Sequence, residues 1–498
     1  MTDNSTFPHP VYKDTVLAPL FEGAKAHHVD AFRMINQAHL VMLVEEGILP
    51  TKTGHELAKA LRSIDEEVDV SALTYTGEVE DYFFLVEAEL KKRLGPDIAG
   101  ALHTARSRND MDHTVFKLGL QKRADHLIQS LHNLVNAMHE TAAREKETLI
   151  VAYTHGQPAQ PSTFGHYLLA ASEVLLRDLD RLMLARDQIE KCPMGAAAIT
   201  TSGFPVSRQH VAELLGFEEP LENSYGCIAS VDYITGLYSA IKLVFVHLGR
   251  VIQDFQFWSA FEVGQLYVPN ALVQISSIMP QKRNPVPIEH MRHLCSVTAG
   301  RCDMMVNTMH NTPFTDMNDS EGEVQQAGYS TFESGGRAID LLAAFIPALS
   351  INDDRVAKTA DAACITITEL ADTLVREESI SFRQAHEVAA ATAKKVIAEG
   401  KSLGDAHTDF MTAFVEMTGR ESHLDEAAYR RAVSARHFVN VRKRFGGPAP
   451  VAIEASLERQ ITHFGHLKAH FEQIQTRKKT ANQMREKAFD ALLNNRGE

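Results

Sequence analysis

The sequence predicts an all-α protein, with a long central helical bundle flanked by smaller helical N- and C-terminal domains. Three observations predict it. Apolar residues fall three or four apart at Phe116, Leu120, Ala124, Leu127, Leu131, Leu134 and Met138, which is one buried helical stripe. Between about 112 and 150 the only Gly or Pro is Gly119; at 1.5 Å per residue such a helix is about 55 Å long, a length typical of bundles. Four further stretches, 163–191, 228–261, 287–310 and 320–349, have the same character. Breaker-rich loops separate them: THGQPAQP, MGAAAITTSGFP, YVPNALVQISSIMPQKRNP and NTPFTDMND. Alternating β-type runs are few.

The element pattern divides the chain into an N-terminal helical domain (1–111), the long-helix bundle (112–360) and a C-terminal helical domain (361–498). Apolar stripes on more than one helix face point to a homo-oligomer built by helix packing. The basic tail from Ile453 onward reads as a solvated surface helix.

Composition removes several function classes. The chain has 498 residues and a formal net charge of −14, a poor match to nucleic acid, whose binding draws on Lys and Arg. A negative total still permits a local positive pocket for an anionic substrate. The five cysteines, Cys192, Cys227, Cys295, Cys302 and Cys364, form no CxxC pair. They read as reduced structural thiols rather than a disulfide framework or zinc site. The N-terminus MTDNSTFPHPVYKD has neither the basic nor the apolar region of a signal peptide, and no run approaches a transmembrane length. The expectation is a cytoplasmic protein with no membrane partner.

Three loops carry chemistry. In 103–110 (HTARSRND), two Arg lie among Ser, Asn and Thr just before the longest helix. Guanidinium forks and free N–H groups at a helix N-terminus cradle carboxylates; the same residues also fit simple capping by Asn109 or Asp110. In 154–161 (THGQPAQP), His155 sits in a polar loop between long helices, where an imidazole near its ordinary pKa serves acid–base work. With 24 His in the chain, a surface His without a role is the competing reading. In 276–285 (SSIMPQKRNP), paired hydroxyls, Lys282, Arg283 and Asn284 lie between two prolines, as in anion-binding or mobile loops.

Taken together, the three segments resemble, in order and spacing, the three separated motifs of the argininosuccinate lyase, fumarase, aspartase and adenylosuccinate lyase superfamily. HTARSRND and the segment 381–387 (SFRQAHE) resemble the argininosuccinate lyase versions and lean away from the other three. Glu80-Asp81 with Glu87, and Gly446-Gly447-Pro448, are weaker matches; the resemblance spans about 25 to 455.

The resemblance implies an all-helical homotetramer in which each active site is shared by three subunits. It implies reversible anti β-elimination of an amine from an N-substituted aspartate, with release of fumarate and no metal or organic cofactor. Ser277 is then the base and His155 the proton donor to the leaving nitrogen. Glu289 pairs with that His, and Lys282 stabilises the Ser277 alkoxide. Ser107, Arg108, Asn109, Thr154, Ser276, Lys282 and Asn284 hold the two carboxylates; Met279 and Asp316 line the substrate, and Gln157 and Gln160 support the second loop.

The departures from the argininosuccinate lyase pattern fall where the amine half would bind. Val286 replaces an Asp, and Asp316, Glu321 and Val324 replace a Tyr, a Gln and a Lys. Phe83 stands for a His, and Ile275 for the Gly before the paired Ser. The expected substrate is an aminopolycarboxylate such as ethylenediamine-disuccinate or iminodisuccinate, because polar contacts set specificity strongly. A true argininosuccinate lyase, and a catalytically silent structural homologue, are the alternatives.

Overall fold

The computed structural model describes residues 7–79 and 81–495 of the chain. Its five longest internal helices are Arg108–Arg144, Phe164–Gln188, Asp232–Ser259, Val286–Thr308 and Gly322–Ala348. Each packs on the next and the last packs on the first, which closes a five-membered ring. The centre of this ring is the main apolar core, with Leu120, Leu127, Leu134, Leu175, Leu182, Ile241, Phe245, Ile339 and Phe345 all buried.

Helices consecutive in the chain alternate in direction, the last runs parallel to the first, and side-chain contacts fix which ends meet. Lys117 Nζ donates to Lys191 O and lies over the Tyr233 ring. Tyr153 packs edge-on to Phe257, Arg292 donates to Gln253, and Arg144 donates to Pro347 O. Hence residues 108, 188, 232, 308 and 322 lie at one end of the bundle, and 144, 164, 259, 286 and 348 at the other.

The first long helix begins four residues before its expected start. Ser107 is the N-cap and Asp110 completes a capping box, so neither Asn109 nor Asp110 is the cap. Asp110 also accepts from Gly195 N and Ala197 N, which fastens the 194–205 loop over the helix start. The helix stops at Arg144 rather than Ile150. The following Leu149–Thr154 is a β-branched, half-buried run and pairs antiparallel with Gln157–Thr163. The second chemistry-bearing loop is therefore a hairpin. Its two-residue turn, His155-Gly156, has both φ values positive (55° and 74°), the primed turn that matches strand twist. Gln265 anchors the hairpin, its buried amide bonding both N and O of Val151.

Asp232–Ser259 has the length and mean hydropathy (1.2) of a membrane span, against the expectation that no segment reaches it. Ile234, Leu237, Ile241, Val244, Phe245 and Ile252 are buried inside the ring, so this part of its apolarity serves the core.

A second apolar cluster is formed by Val29–Glu45, Thr51–Glu67, Tyr82–Leu94 and the first turns of Arg108–Arg144. A third joins Ile367–Glu378, Phe382–Glu399 and His407–Thr418 around Leu374, Val388, Phe410 and Tyr429. The last helix, Pro450–Asn494, does not join that third cluster. Phe464, Phe471 and Ile474 pack on the bundle, and Phe489 and Leu492 on the N-terminal helices. The single 361–498 unit is thus divided, and the tail is a long brace with a buried seam rather than a solvated surface helix.

Polar contacts lock the brace. Arg186 is fully buried; its Nε donates to Asp125 Oδ1 at 2.6 Å and it pairs with Glu190. From the brace, Arg477 pairs with Glu190, and Lys478 Nζ lies 2.6 Å from Asp125 Oδ2. Burial opposes ionisation of Asp125, but Arg186 and Lys478 outweigh it and hold the carboxyl below its ordinary range. The five cysteines are free and buried. Burial pushes the thiols of Cys192, Cys295 and Cys302 up to about 12.

Candidate active site

The structure separates the predicted site residues into two groups. Ser107, Arg108, Asn109 and Asp316 lie at one end of the bundle. Thr154, His155, Gln157, Gln160, Ser276, Ser277, Met279, Lys282, Asn284 and Glu289 lie at the other. The 37-residue Arg108–Arg144 helix sets the gap, roughly 55 Å at its rise per residue.

At the first end, Ser107 caps the helix start, its hydroxyl accepting from Asn109 N. Asn109 Nδ2 donates to Ala198 O at 3.2 Å. Arg108 reaches Asp81 at 3.2 Å and Asp112 at 3.9 Å, so within the chain its guanidinium faces carboxylates. Arg106, buried, donates to Asn36. Glu87 holds His103 Nδ1 at 2.6 Å, while Glu80 lies outside the described residues.

At the second end, Thr154, His155, Gly156 and Gln157 form the exposed hairpin tip. The third motif is a flap. Gln274–Ile275 pairs antiparallel with Arg283–Asn284 and closes the loop between them at its base. Arg283 clamps that base to Asn270 and Val268 O and lies over the Tyr267 ring. Ser276 Oγ accepts from Ile278 N and Met279 N, a local turn that shapes the flap tip. Ser277 and Lys282 are exposed. Ile275 and Ile278 are 73% and 83% exposed, an unusual cost for large apolar side chains unless something covers them. Glu289 is exposed on the first turn of Val286–Thr308 and makes no hydrogen bond to His155 within the chain.

A cavity of about 680 Å³ opens beside the hairpin, lined by His155, Gln160, Tyr167, Gln253, Asp254 and Arg442 among others; the flap does not reach it. His166 bonds Ser162 and Gly446 O there, which gives Gly446-Gly447-Pro448 a place beside the second motif. The segment 381–387 supplies a capping box, Ser381 with Gln384, to Phe382–Glu399.

The structure also gathers around Asp316 residues that sequence reasoning did not assign to the site, His113 and Asp112, together with Glu321. His113 Nε2 lies 3.5 Å from Glu321 Oε1 and 3.9 Å from Asp316 Oδ1. Asp112 adjoins them: burial, then Asp81, raises its carboxyl well above the ordinary range. Burial, with Asp112 and Asp316, raises Glu321 as well. Burial lowers His113 to about 4, so its ring is neutral near pH 7. One His and two carboxylates here offer donor atoms all within 4.8 Å of one another. The sequence signals were Asp112-His113, two ionisable residues directly after the first motif, and Asp316 and Glu321 among the departures at the amine half.

Comparison with known proteins shows the family. The Lyase family model matches residues 24–300, and the Argininosuccinate lyase C-terminal model matches 364–440. "Argininosuccinate lyase 2" of Agrobacterium fabrum is 62% identical over 90% of this chain and 89% of its own length. Argininosuccinate lyase of Methanosphaera stadtmanae is 32% identical over 85% of this chain and 91% of its own. Among solved structures, EDDS lyase in complex with formate superposes with a TM-score of 0.83 at 26% identity, covering 97% of this chain and 96% of that one. A class II fumarase from Schistosoma mansoni, at 16% identity and TM-score 0.66, shares the fold over 84% of this chain and 91% of that one. The chain therefore belongs to the argininosuccinate lyase family, carbon–nitrogen lyases of the fumarase/aspartase superfamily.

Proposed function

We propose that the chain eliminates an amine from an N-substituted aspartate and releases fumarate, in active sites assembled from several copies of itself. The observation that carries this reading is the division of the chemistry. An anion cradle stands at one end of the bundle and an exposed Ser–Lys flap with a His hairpin at the other, too far apart to act on one small molecule within a chain. A homotetramer whose bundles lie side by side brings opposite ends together. Its packing surface has support: Asp232–Ser259 is strongly apolar, yet only 44% of its most apolar window is buried within the chain. A Cβ on Gly236 or Gly249 of this helix, or on Gly300 of Val286–Thr308, would meet open space.

In this reading Ser277 removes the proton beside one carboxylate. That proton is weakly acidic, and the second charge developing on the carboxylate needs fixed donors. Each such donor contributes about 3–4 kcal/mol when preorganised. Lys282 and flap N–H groups favour the Ser277 alkoxide. Ser107, Arg108, Asn109, Thr154, Ser276 and Asn284 hold the carboxylates, Met279 lines the substrate, and Gln157 and Gln160 steady the hairpin. His155, paired with Glu289 of another copy, protonates the leaving nitrogen. Arg108 turns from Asp81 and Asp112 to the substrate as the site assembles.

Two substrate classes compete. The 62% relative's name supports argininosuccinate. The near full-length likeness to EDDS lyase supports an aminopolycarboxylate, and we favour that class; Val286 and Asp316 speak only against an unaltered argininosuccinate pocket. Ser277, His155, Lys282 and Asn284 are all present, which speaks against a silent structural homologue. The test is fumarate release, followed by absorbance, from argininosuccinate, ethylenediamine-disuccinate, iminodisuccinate, aspartate, malate and adenylosuccinate in separate assays. Ethylenediamine-disuccinate turned over with argininosuccinate inert is the expected result. Argininosuccinate as the sole substrate would reverse the assignment, and malate or aspartate as the sole substrate would sink the family-based chemistry.

A further inference from the structure

The His113–Asp316–Glu321 grouping is expensive as it stands. His113 is 1% exposed, and neither ring nitrogen has a hydrogen-bond partner. Asp316 Oδ1 is likewise buried without one. A buried polar atom left unpaired costs about 1–3 kcal/mol, so such groups are retained where a ligand completes them. Two carboxylates stand against the ring, and Asp112 adds a third nearby. The arrangement offers a concentration of acceptors. A neutral imidazole contributes one lone pair, and each carboxylate contributes several once a bound cation displaces the proton that burial and its acidic neighbours favour on Glu321. Three acceptors facing one point match the three N–H donors of an alkylammonium group.

Its location says whose ammonium. His113 lies just over one turn beyond Arg108 on the same helix, beside the cradle assigned above to a substrate carboxylate. Glu321 and Asp112 also line a cavity of about 410 Å³ with an apolar wall that includes Leu20, Phe32 and Phe116. A group reaching from the cradle into this cavity is the part of the substrate beyond the scissile nitrogen.

We propose that His113, Asp316 and Glu321 form a receptor for a second, cationic nitrogen on the departing amine, so that the chain acts on N-succinyl derivatives of diamines. This rests on the lyase reading above and narrows it. The mono-succinyl N-(2-aminoethyl)aspartate has such a nitrogen as a primary ammonium, and ethylenediamine-disuccinate has it as a secondary one with the second succinyl group beyond it; the amine leaving iminodisuccinate is aspartate, which has no second nitrogen for the receptor to hold. In the addition direction the lone pair of a neutral amine nitrogen forms the C–N bond to one olefinic carbon of fumarate. The π pair takes a proton at the other carbon and the nitrogen gives one up, so atoms balance and no redox partner enters.

The experiment follows fumarate consumption by the purified full-length protein, with ethylenediamine and 1,3-diaminopropane set against propylamine. The diamines are expected to exceed the monoamine about tenfold or more in kcat/KM, chiefly through KM. Glu321→Gln and, separately, Asp316→Asn are expected to collapse that ratio toward one, with melting curves confirming that both variants fold. Diamine and monoamine used equally, or a ratio that survives both substitutions, overturns the receptor while leaving the lyase reading standing. So does calorimetric binding of Mn²⁺ or Zn²⁺ that is lost in His113→Ala, together with a diamine preference abolished by EDTA; the grouping is then a metal site. No fumarate consumed with any amine, and none released from any N-substituted aspartate, overturns both readings.

Discussion

Ser277→Ala is expected to lower turnover by about 10³-fold or more, with fold and assembly unchanged. The substitution removes one oxygen from an exposed side chain that makes no hydrogen bond within the chain. It leaves intact the local turn at Ser276, the two-residue ladder at the flap base and the Arg283 clamp. Exposed substitutions of this kind shift stability by about 0.5 kcal/mol or less, so melting temperature and size-exclusion profile should match those of the parent. The selectivity of the loss is the informative part. Ser276 sits next in sequence, but its Oγ already accepts two backbone N–H groups and is poorly placed to replace the base. Activity retained in Ser277→Ala would remove this residue from the role.

Arg186→Met is expected to destabilise the protein by about 3–5 kcal/mol, the usual cost of removing one partner from a buried ionic group. Arg186 is the only member of its network with no solvent exposure, and it bridges Asp125 to Glu190. Without it the two carboxylates remain buried, and only Arg477 and Lys478 of the C-terminal brace can answer them. Those two residues also carry the polar attachment of the brace to the bundle. Hydrogen exchange across residues 465–490 should therefore rise before the bundle itself opens. A loss below about 1 kcal/mol would mean that Arg477 and Lys478 satisfy the carboxylates unaided. The brace would then be held by its apolar seam alone.

The parts of this architecture legible in the sequence were those set by local periodicity. The Phe116–Met138 stripe and four companions gave the five bundle helices to within a few residues at most ends, because a helix burying one face must repeat every three or four positions. The hairpin was missed because its strands are short. Leu149–Thr154 is a β-branched run that follows a helix without a Gly or Pro stop, and Gln157–Thr163 contains two prolines that read as a loop. The buried seam of the last helix was hidden for a different reason. Its inward positions include Gln460 and Arg485, so composition reads as surface although the face is covered. The site motifs were visible as clusters of unusual polar residues, but their separation to opposite ends follows from helix direction, which no motif states. The His113–Asp316–Glu321 grouping was beyond reach: helix and loop meet only in the folded bundle.

The proposed sharing of one active site between opposite ends of different copies is best checked by mixing two inactive variants. Asn109→Ala disables the anion cradle and Ser277→Ala the flap, each in an otherwise intact chain. The two are unfolded together at equal concentration, refolded, and assayed for fumarate release beside each variant treated alone. Each variant alone is expected to stay inactive. The mixture should recover about a quarter of parental activity, since a random assembly places an intact cradle against an intact flap in that share of sites. A mixture as inactive as its components, with both variants assembled and folded, would contradict the shared site.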